Sequence, residues 1–214
     1  MLSLDLGRLV LIFGVLLFSL TVHESAHAWT AARLGDRTGQ RLGRISLNPF
    51  VHVDPVGTLL LPLMAFVTGA PVLGWAKPVP VNPLNLEYPR RDFMLIALAG
   101  PASNLVMAVV AAVAMRMLPI TAVPVGGGFE VPLWGVMAAL FEIYLLLAVF
   151  NLIPVPPLDG GNVLAALLPW RAANLFDRFI RPWGFLVLLV LFYTGTLVQL
   201  INPPYAFLSW LLTA

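Results

Sequence analysis

Four apolar stretches, each about 20 residues or longer and so able to cross a bilayer as a helix, constrain this chain more than any other feature of its sequence. They cover residues 9–32, 93–118, 131–153 and 183–201. The chain is 60% hydrophobic and 10% charged, whereas soluble domains are about 25% charged. The pattern predicts an all-α polytopic membrane protein with about four to six transmembrane helices.

A fifth apolar stretch, residues 56–76, contains Pro62, Gly69 and Pro71, which interrupt helical hydrogen bonding. We expect it either to re-enter from one side or to cross while the proline-rich residues 75–89 return as extended chain through a protein-lined cleft. A short re-entrant or β-ribbon element after the first helix is therefore predicted. No internal repeat and no long linker divides the sequence, so a single membrane domain over residues 1–214 is expected.

Lysine and arginine predict the orientation of the chain. Ten of the 12 follow the first stretch or precede the 93–118 and 183–201 stretches. If residues 56–76 return to the side from which they enter, these ten lie on one side, which the positive-inside rule makes cytoplasmic. The sequence thus predicts a multi-pass protein of the cell's inner or plasma membrane with its N-terminus outside. Basic residues that flank apolar segments indicate membrane topology and not nucleic-acid binding.

The motif His23-Glu24-Ser25-Ala26-His27 stands near the end of the first stretch. In a helix, His23 and His27 lie on one face about 6 Å apart along the axis, so that both imidazoles can bind one zinc ion. Glu24 then lies beside the metal as the general base for its water. The alternative is that both histidines are interhelical hydrogen-bonding residues and that Glu24 reaches the nearer interface, but three ionisable residues inside a spanning helix favour a functional site.

A catalytic zinc site needs a third protein ligand. The chain has no cysteine, so this ligand must be His52 or a carboxylate. Asp159 is the favoured candidate, because it follows the inner end of the 131–153 stretch and should lie at the same membrane depth as the histidines. Its alternative role is that of a helix cap or turn residue.

Three blocks together resemble the site-2 protease family of intramembrane zinc metalloproteases. They are HESAH at 23–27, GPASN at 100–104 and NLIPVPPLDGG at 151–161. The resemblance implies one zinc ion per chain bound by His23, His27 and Asp159, base catalysis by Glu24, and contact with the substrate or transition state from Asn151 and Asn104. Residues 43–83 are similar to those of the short bacterial branch that lacks a PDZ domain, and neither a PDZ nor a CBS domain is expected.

Three further polar residues each have two possible roles. His52 is either a polar group near the metal, even a reversible ligand, or a loop residue that caps backbone groups beside Asp54. Glu142 lies in the middle of a predicted span, where a helix contact is slightly favoured over a proton site. Asn104 is either a substrate contact or an interhelical donor.

The resulting hypothesis is hydrolysis of a peptide bond in a transmembrane protein or leftover signal peptide by metal-activated water at the cytoplasmic side of the bilayer. Extended chain at 41–47 or 75–81 would pair with the unwound substrate as an added strand. The alternatives are an ion or metal transporter that uses the same polar residues, and a non-catalytic relative that binds transmembrane helices. The HExxH spacing argues against the first, and Glu24 argues against the second.

Overall fold

A computed structural model describes residues 6–61, 64, 74–117, 122–125 and 129–214. The α-helices of these residues are α1 (Leu6–Arg33), α2 (Thr38–Arg41), α3 (Pro89–Met117), α4 (Leu133–Asn151), α5 (Asp159–Leu167), α6 (Trp170–Leu175), α7 (Gly184–Tyr193) and α8 (Thr196–Thr213). Short π-helical turns cover Pro55–Leu60 and Phe176–Ile180, and 3₁₀ turns cover Pro49–Val51, Pro83–Asn85 and Arg181–Trp183. The prediction of an all-α polytopic membrane protein is confirmed.

Helices α1, α3 and α4 are long and apolar enough to cross a membrane, as three of the four apolar stretches predict. The fourth stretch, residues 183–201, is not one continuous helix. Gly195 has φ +74°, in the left-handed region that glycine adopts without a side-chain clash, and it ends α7. The helical segment up to Tyr193 and α8 are bent by 81° at this break, so they form at most one broken span.

Helix α3 lies between α1 and α4 and packs against both. Its contact with α4 is made by small side chains, since Ala108, Ala111 and Ala112 are buried against Phe141 and Tyr144. Small residues let membrane helices approach closely, and close contact is the main source of helix association in lipid. This packing brings residues from the middle of α3 against the face of α1 that carries the HExxH motif.

The described residues between α1 and α3, which are 34–61, 64 and 74–88, form α2, short helical turns and extended chain and contain no strand. The strand pair of the described chain, β1 (Ala122–Val125) with β2 (Phe129–Pro132), is antiparallel and lies between α3 and α4 instead. The re-entrant or β-ribbon element predicted after the first helix therefore stays a prediction. Most of the 56–76 stretch lies outside the described residues, and with it the choice between a re-entrant and a crossing path.

Asp36, three residues after α1 ends, joins α1 to the extended segment before α3. Its carboxylate accepts hydrogen bonds from the backbone N–H of Asn82 (2.7 Å), the side-chain amide of Asn85 (2.7 Å) and the backbone N–H of Thr38 (3.1 Å). The Thr38 hydroxyl donates a further bond. The Asp36 side chain is fully buried, so the carboxylate depends on these donors in place of water.

Candidate metal centre

Helix α1 brings the two histidines of the HExxH motif together as their spacing predicts. The Nε2 atoms of His23 and His27 lie 3.0 Å apart. Their residues are 4% and 8% exposed, so the pair lies inside the protein and not on its lipid surface. One face of a single helix therefore supplies two imidazole ligands at one point.

Asp159 completes the group from the distant proline-rich segment. Its Oδ2 lies 3.1 Å from Nε2 of His23 and 3.4 Å from Nε2 of His27. Asp159 is the first residue of α5, and the two glycines that follow let this helix begin against the preceding loop. A β-carbon at Gly160 would overlap the carbonyl oxygens of Leu152 and Ile153, and one at Gly161 would lie 2.7 Å from the Pro156 nitrogen.

These three atoms fit a zinc ion. A tetrahedral zinc with ligands at about 2.0 to 2.1 Å holds them about 3.3 Å from one another, and the observed separations of 3.0, 3.1 and 3.4 Å match this spacing. Oδ2 of Asp159 is buried and receives no hydrogen bond. The three atoms lie close enough together for one cation to bind between them, and in the described part of the chain His23, His27 and Asp159 are the residues so arranged.

Gly100 on α3 gives the imidazoles their space. A β-carbon at this position would lie 2.5 Å from Nε2 of His27 and 2.6 Å from Nε2 of His23. Both distances are far below van der Waals contact, so the position excludes a side chain. The sequence indicates only that Gly100 permits close helix packing, whereas the structure shows that it faces the metal ligands themselves.

The second ring nitrogen of each histidine is held from α3. Nδ1 of His27 lies 2.6 Å from the carbonyl oxygen of Ile96, to which it can donate. Nδ1 of His23 lies 3.0 Å from the side-chain amide of Asn104, which is fully buried. An outer partner that accepts from Nδ1 fixes the ring orientation and leaves Nε2 free for a metal. Ile96 acts through a backbone carbonyl, which no sequence motif can reveal.

Glu24 receives a hydrogen bond of 3.3 Å from the backbone N–H of Val79 to its Oε2. Val79 belongs to the extended segment Lys77-Pro-Val-Pro-Val81, which has no N–H groups at Pro78 and Pro80. The N–H of Lys77 donates to the His52 carbonyl at 2.8 Å and so ties this segment to the loop after α1. The proline alternation suggests extended chain, but no sequence signal identifies Val79 as the partner of the base.

The remaining predicted site residues lie elsewhere. Nε2 of His52 lies 3.0 Å from the Ser46 carbonyl oxygen and 3.4 Å from the Ser25 hydroxyl, outside the group of three ligands. The side-chain amide of Asn151 donates to the Leu147 carbonyl of its own helix at 3.0 Å. Glu142 is exposed on the surface of α4.

Two histidines and an aspartate meet at one point inside the protein, and a glutamate directly follows the first histidine. This arrangement is that of a zinc-dependent hydrolase, here built on membrane helices.

Comparison with known proteins supports this class of enzyme. The family model for peptidase family M50 matches residues 119–194. YwhC of Bacillus subtilis strain 168, named as a candidate zinc metalloprotease, is 36% identical over 179 residues, which are 84% of this chain and 78% of YwhC.

Rip2 of Mycobacterium tuberculosis strain H37Rv, also named as a candidate zinc metalloprotease, is 35% identical over 196 residues, which are 89% of this chain and 70% of Rip2. No solved structure matches the chain significantly. The chain belongs to peptidase family M50, the site-2 protease family, and is a zinc metalloprotease. The resemblance on the three sequence blocks and the zinc cofactor are thereby confirmed.

Proposed function

We propose that this metalloprotease cleaves a peptide bond within or near the transmembrane segment of membrane-protein substrates, including leftover signal peptides. The observation that carries the proposal is the depth of the site. His23 and His27 are buried on α1, a helix long and apolar enough to span the bilayer, and face Gly100 in the middle of α3, a second such helix. A peptide bond that reaches this site must come from a substrate at the membrane.

Each step of peptide hydrolysis is assigned to a particular group of the site. When bound, zinc supplies Lewis acidity toward a water molecule and a peptide carbonyl. The Glu24 carboxylate takes a proton from the attacking water and passes it to the amine that leaves. The N–H of Val79 holds that carboxylate in place. Asn151, at the end of α4, is proposed to contact the substrate carbonyl in the manner of an oxyanion donor.

The chain offers an edge for an unwound substrate. Ser46 is anchored by Ser25, whose hydroxyl donates to the Ser46 carbonyl at 2.5 Å. Among the described residues, the backbone groups of its neighbours Ile45 and Leu47 have no hydrogen-bond partner. A cavity of about 370 Å³ next to this segment is lined by residues of α1, α3 and the segment itself, including Val22, Trp29 and Ser103. Pairing of the substrate with residues 45–47 would satisfy backbone groups that lipid cannot.

The active site is proposed to face the cytoplasm of a multi-pass protein in the cell membrane. Support comes from the ten lysines and arginines that cluster near the ends of the helices on one side. Water would then reach the zinc site from the cytoplasmic side, where α1 ends at Arg33 and α5 begins at Asp159.

The test is cleavage of a single-span membrane substrate in proteoliposomes, together with zinc analysis of the purified protein. We expect Glu24→Gln to keep zinc and to lose cleavage by at least about a hundredfold, as the removal of a general base does. Glu142→Gln is the matched control, since it makes the same change on a helix outside the metal group, and it should cleave normally. Cleavage that persists in Glu24→Gln contradicts the assigned base, and metal flux without proteolysis would favour a transporter.

A further inference from the structure

The metal site requires a defined tautomer of each histidine. A neutral imidazole carries one N–H, so a ring that offers the lone pair of Nε2 to a metal must hold its hydrogen on Nδ1. The atom opposite Nδ1 must then be an acceptor. His27 meets this requirement through the Ile96 carbonyl at 2.6 Å.

His23 meets the side chain of Asn104 instead. The amide nitrogen of Asn104 lies 3.0 Å from Nδ1 of His23, while its Oδ1 is buried without a hydrogen-bond partner. A half-turn of the terminal amide exchanges Oδ1 and Nδ2 and leaves the shape of the side chain unchanged. After this exchange Oδ1 accepts the Nδ1–H of His23, which pairs the buried oxygen and leaves Nε2 free for the metal.

We propose that Asn104 is a positioning residue of the metal centre, whose Oδ1 accepts the Nδ1–H of His23 and holds the ring in its metal-binding tautomer. The proposal rests on the zinc site of the proposed function and deepens it. Asn104 has no exposed surface, so its effect on catalysis passes through His23 and not through contact with a substrate. The two histidines of the motif are thereby oriented by two acceptors from the same helix, one on the backbone and one on a side chain.

The test compares the zinc affinity of three forms of the full-length protein in detergent, measured by competition with a chromogenic chelator. Asn104→Leu has the same branching but no acceptor, and we expect it to bind zinc about ten- to a hundredfold more weakly, the usual cost of losing such a partner. Asn104→Asp keeps the acceptor and loses the donor, and we expect its affinity to stay within a few-fold of the wild type. Val106→Ala, on an exposed position of α3 two residues further along, is the control and should bind zinc like the wild type.

The aspartate variant separates this role from a structural one. An Asn104 that only donates an interhelical hydrogen bond would make Asn104→Asp as weak as Asn104→Leu, which would overturn the proposal, as would wild-type affinity in Asn104→Leu. Thermal unfolding of the metal-free proteins shows whether each variant is folded, and Asn104→Ala replaces the leucine variant if that one is not. A wild type that binds no zinc would overturn the proposed function itself, whereas equal affinities beside normal cleavage would overturn the role of Asn104 alone.

Discussion

Gly100 and His23 come from different helices, yet they stand so close that a β-carbon on Gly100 would lie 2.6 Å from the Nε2 atom of His23. The metal-binding face of α1 therefore packs against a glycine, whose lack of a side chain leaves room for two imidazoles. Helix α3 covers the histidines on this side, which contributes to their burial.

Substitution of Gly100 by alanine should weaken zinc binding by about five- to a hundredfold, since overpacking of this kind costs about 1 to 3 kcal/mol. The substitution would stabilise the helix itself, because alanine in a helix interior is about 1 kcal/mol more favourable than glycine. A loss of affinity thus cannot come from a weaker helix. Chelator competition measures the effect, and Ala102→Ser on an exposed position of α3 is the control. Unchanged affinity in Gly100→Ala would show that the imidazoles lie further from α3.

The hydrogen bond from Val79 to Glu24 can be removed almost alone. Pro78 and Pro80 already hold this segment in extended chain, so Val79→Pro deletes one N–H with little change of backbone. We expect kcat to fall about tenfold, because the carboxylate loses a bond of about 1.5 to 3 kcal/mol, while zinc content is unchanged. Val79→Ala keeps the N–H and should cleave nearly as well as the wild type. Equal rates for the two variants would remove Val79 from the site.

Arg90 connects the start of α3 to the helix that carries Asp159. Its Nη2 donates to the carbonyl oxygens of Leu168 (2.5 Å), Ala165 (3.2 Å) and Ala166 (3.2 Å) at the end of α5. These carbonyls have no partner within the helix, and a cation suits the negative end of the helix dipole. Arg90→Gln should lower the free energy of unfolding by about 1 kcal/mol, and Arg90→Lys by less. A thermal shift in detergent measures both, and an equal loss in the two variants would show that charge has no part.

Asp36 should make stability depend on pH. Burial alone would raise the pKa of its carboxyl, but hydrogen bonds from Thr38, Asn85 and Asn82 lower it below its ordinary value. A lowered pKa in the folded state contributes stability that is complete above the unfolded pKa of about 3.9 and is lost as the pH falls toward the folded value. Asp36→Asn should therefore be less stable than the wild type at pH 7.

This difference between Asp36→Asn and the wild type is expected to reach about 1.5 to 3 kcal/mol at neutral pH, the value of hydrogen bonds to a charged group. It should shrink as the pH is lowered below about 4. Unfolding curves recorded from pH 7 to pH 3 follow it, with Glu87→Gln, an exposed carboxyl, as the control. A difference that stays constant with pH would show that the carboxylate charge is not what stabilises the turn.

The sequence reveals the parts of this protein whose chemistry is local. Four-residue spacing on a helix places His23 beside His27, and uninterrupted apolar length predicts α1, α3 and α4. Asp159 can be predicted because it follows the inner end of the 131–153 stretch, at the depth of the histidines, and because the NLIPVPPLDGG block that contains it resembles the site-2 protease family. The break at Gly195 escapes prediction, since a single glycine within an apolar run also occurs in continuous membrane helices.

The hydrogen-bond partners of the site residues could not be predicted, because they come from distant segments of the chain. The partners of the two imidazoles and of Glu24 are an amide side chain on α3, a carbonyl of Ile96 and an N–H of Val79. Two of these three belong to the backbone, where any residue type would serve. Only the packing of α3 and of residues 77–81 against α1 selects them.

The separation of the metal ligands along the chain bears on when the enzyme becomes active. During synthesis α1 with both histidines enters the membrane first, and Asp159 is made only after α3 and α4. A nascent chain thus holds two imidazoles and no third ligand while most of its helices are inserted. The group of three metal ligands is complete only after Asp159, residue 159 of 214, has been synthesised.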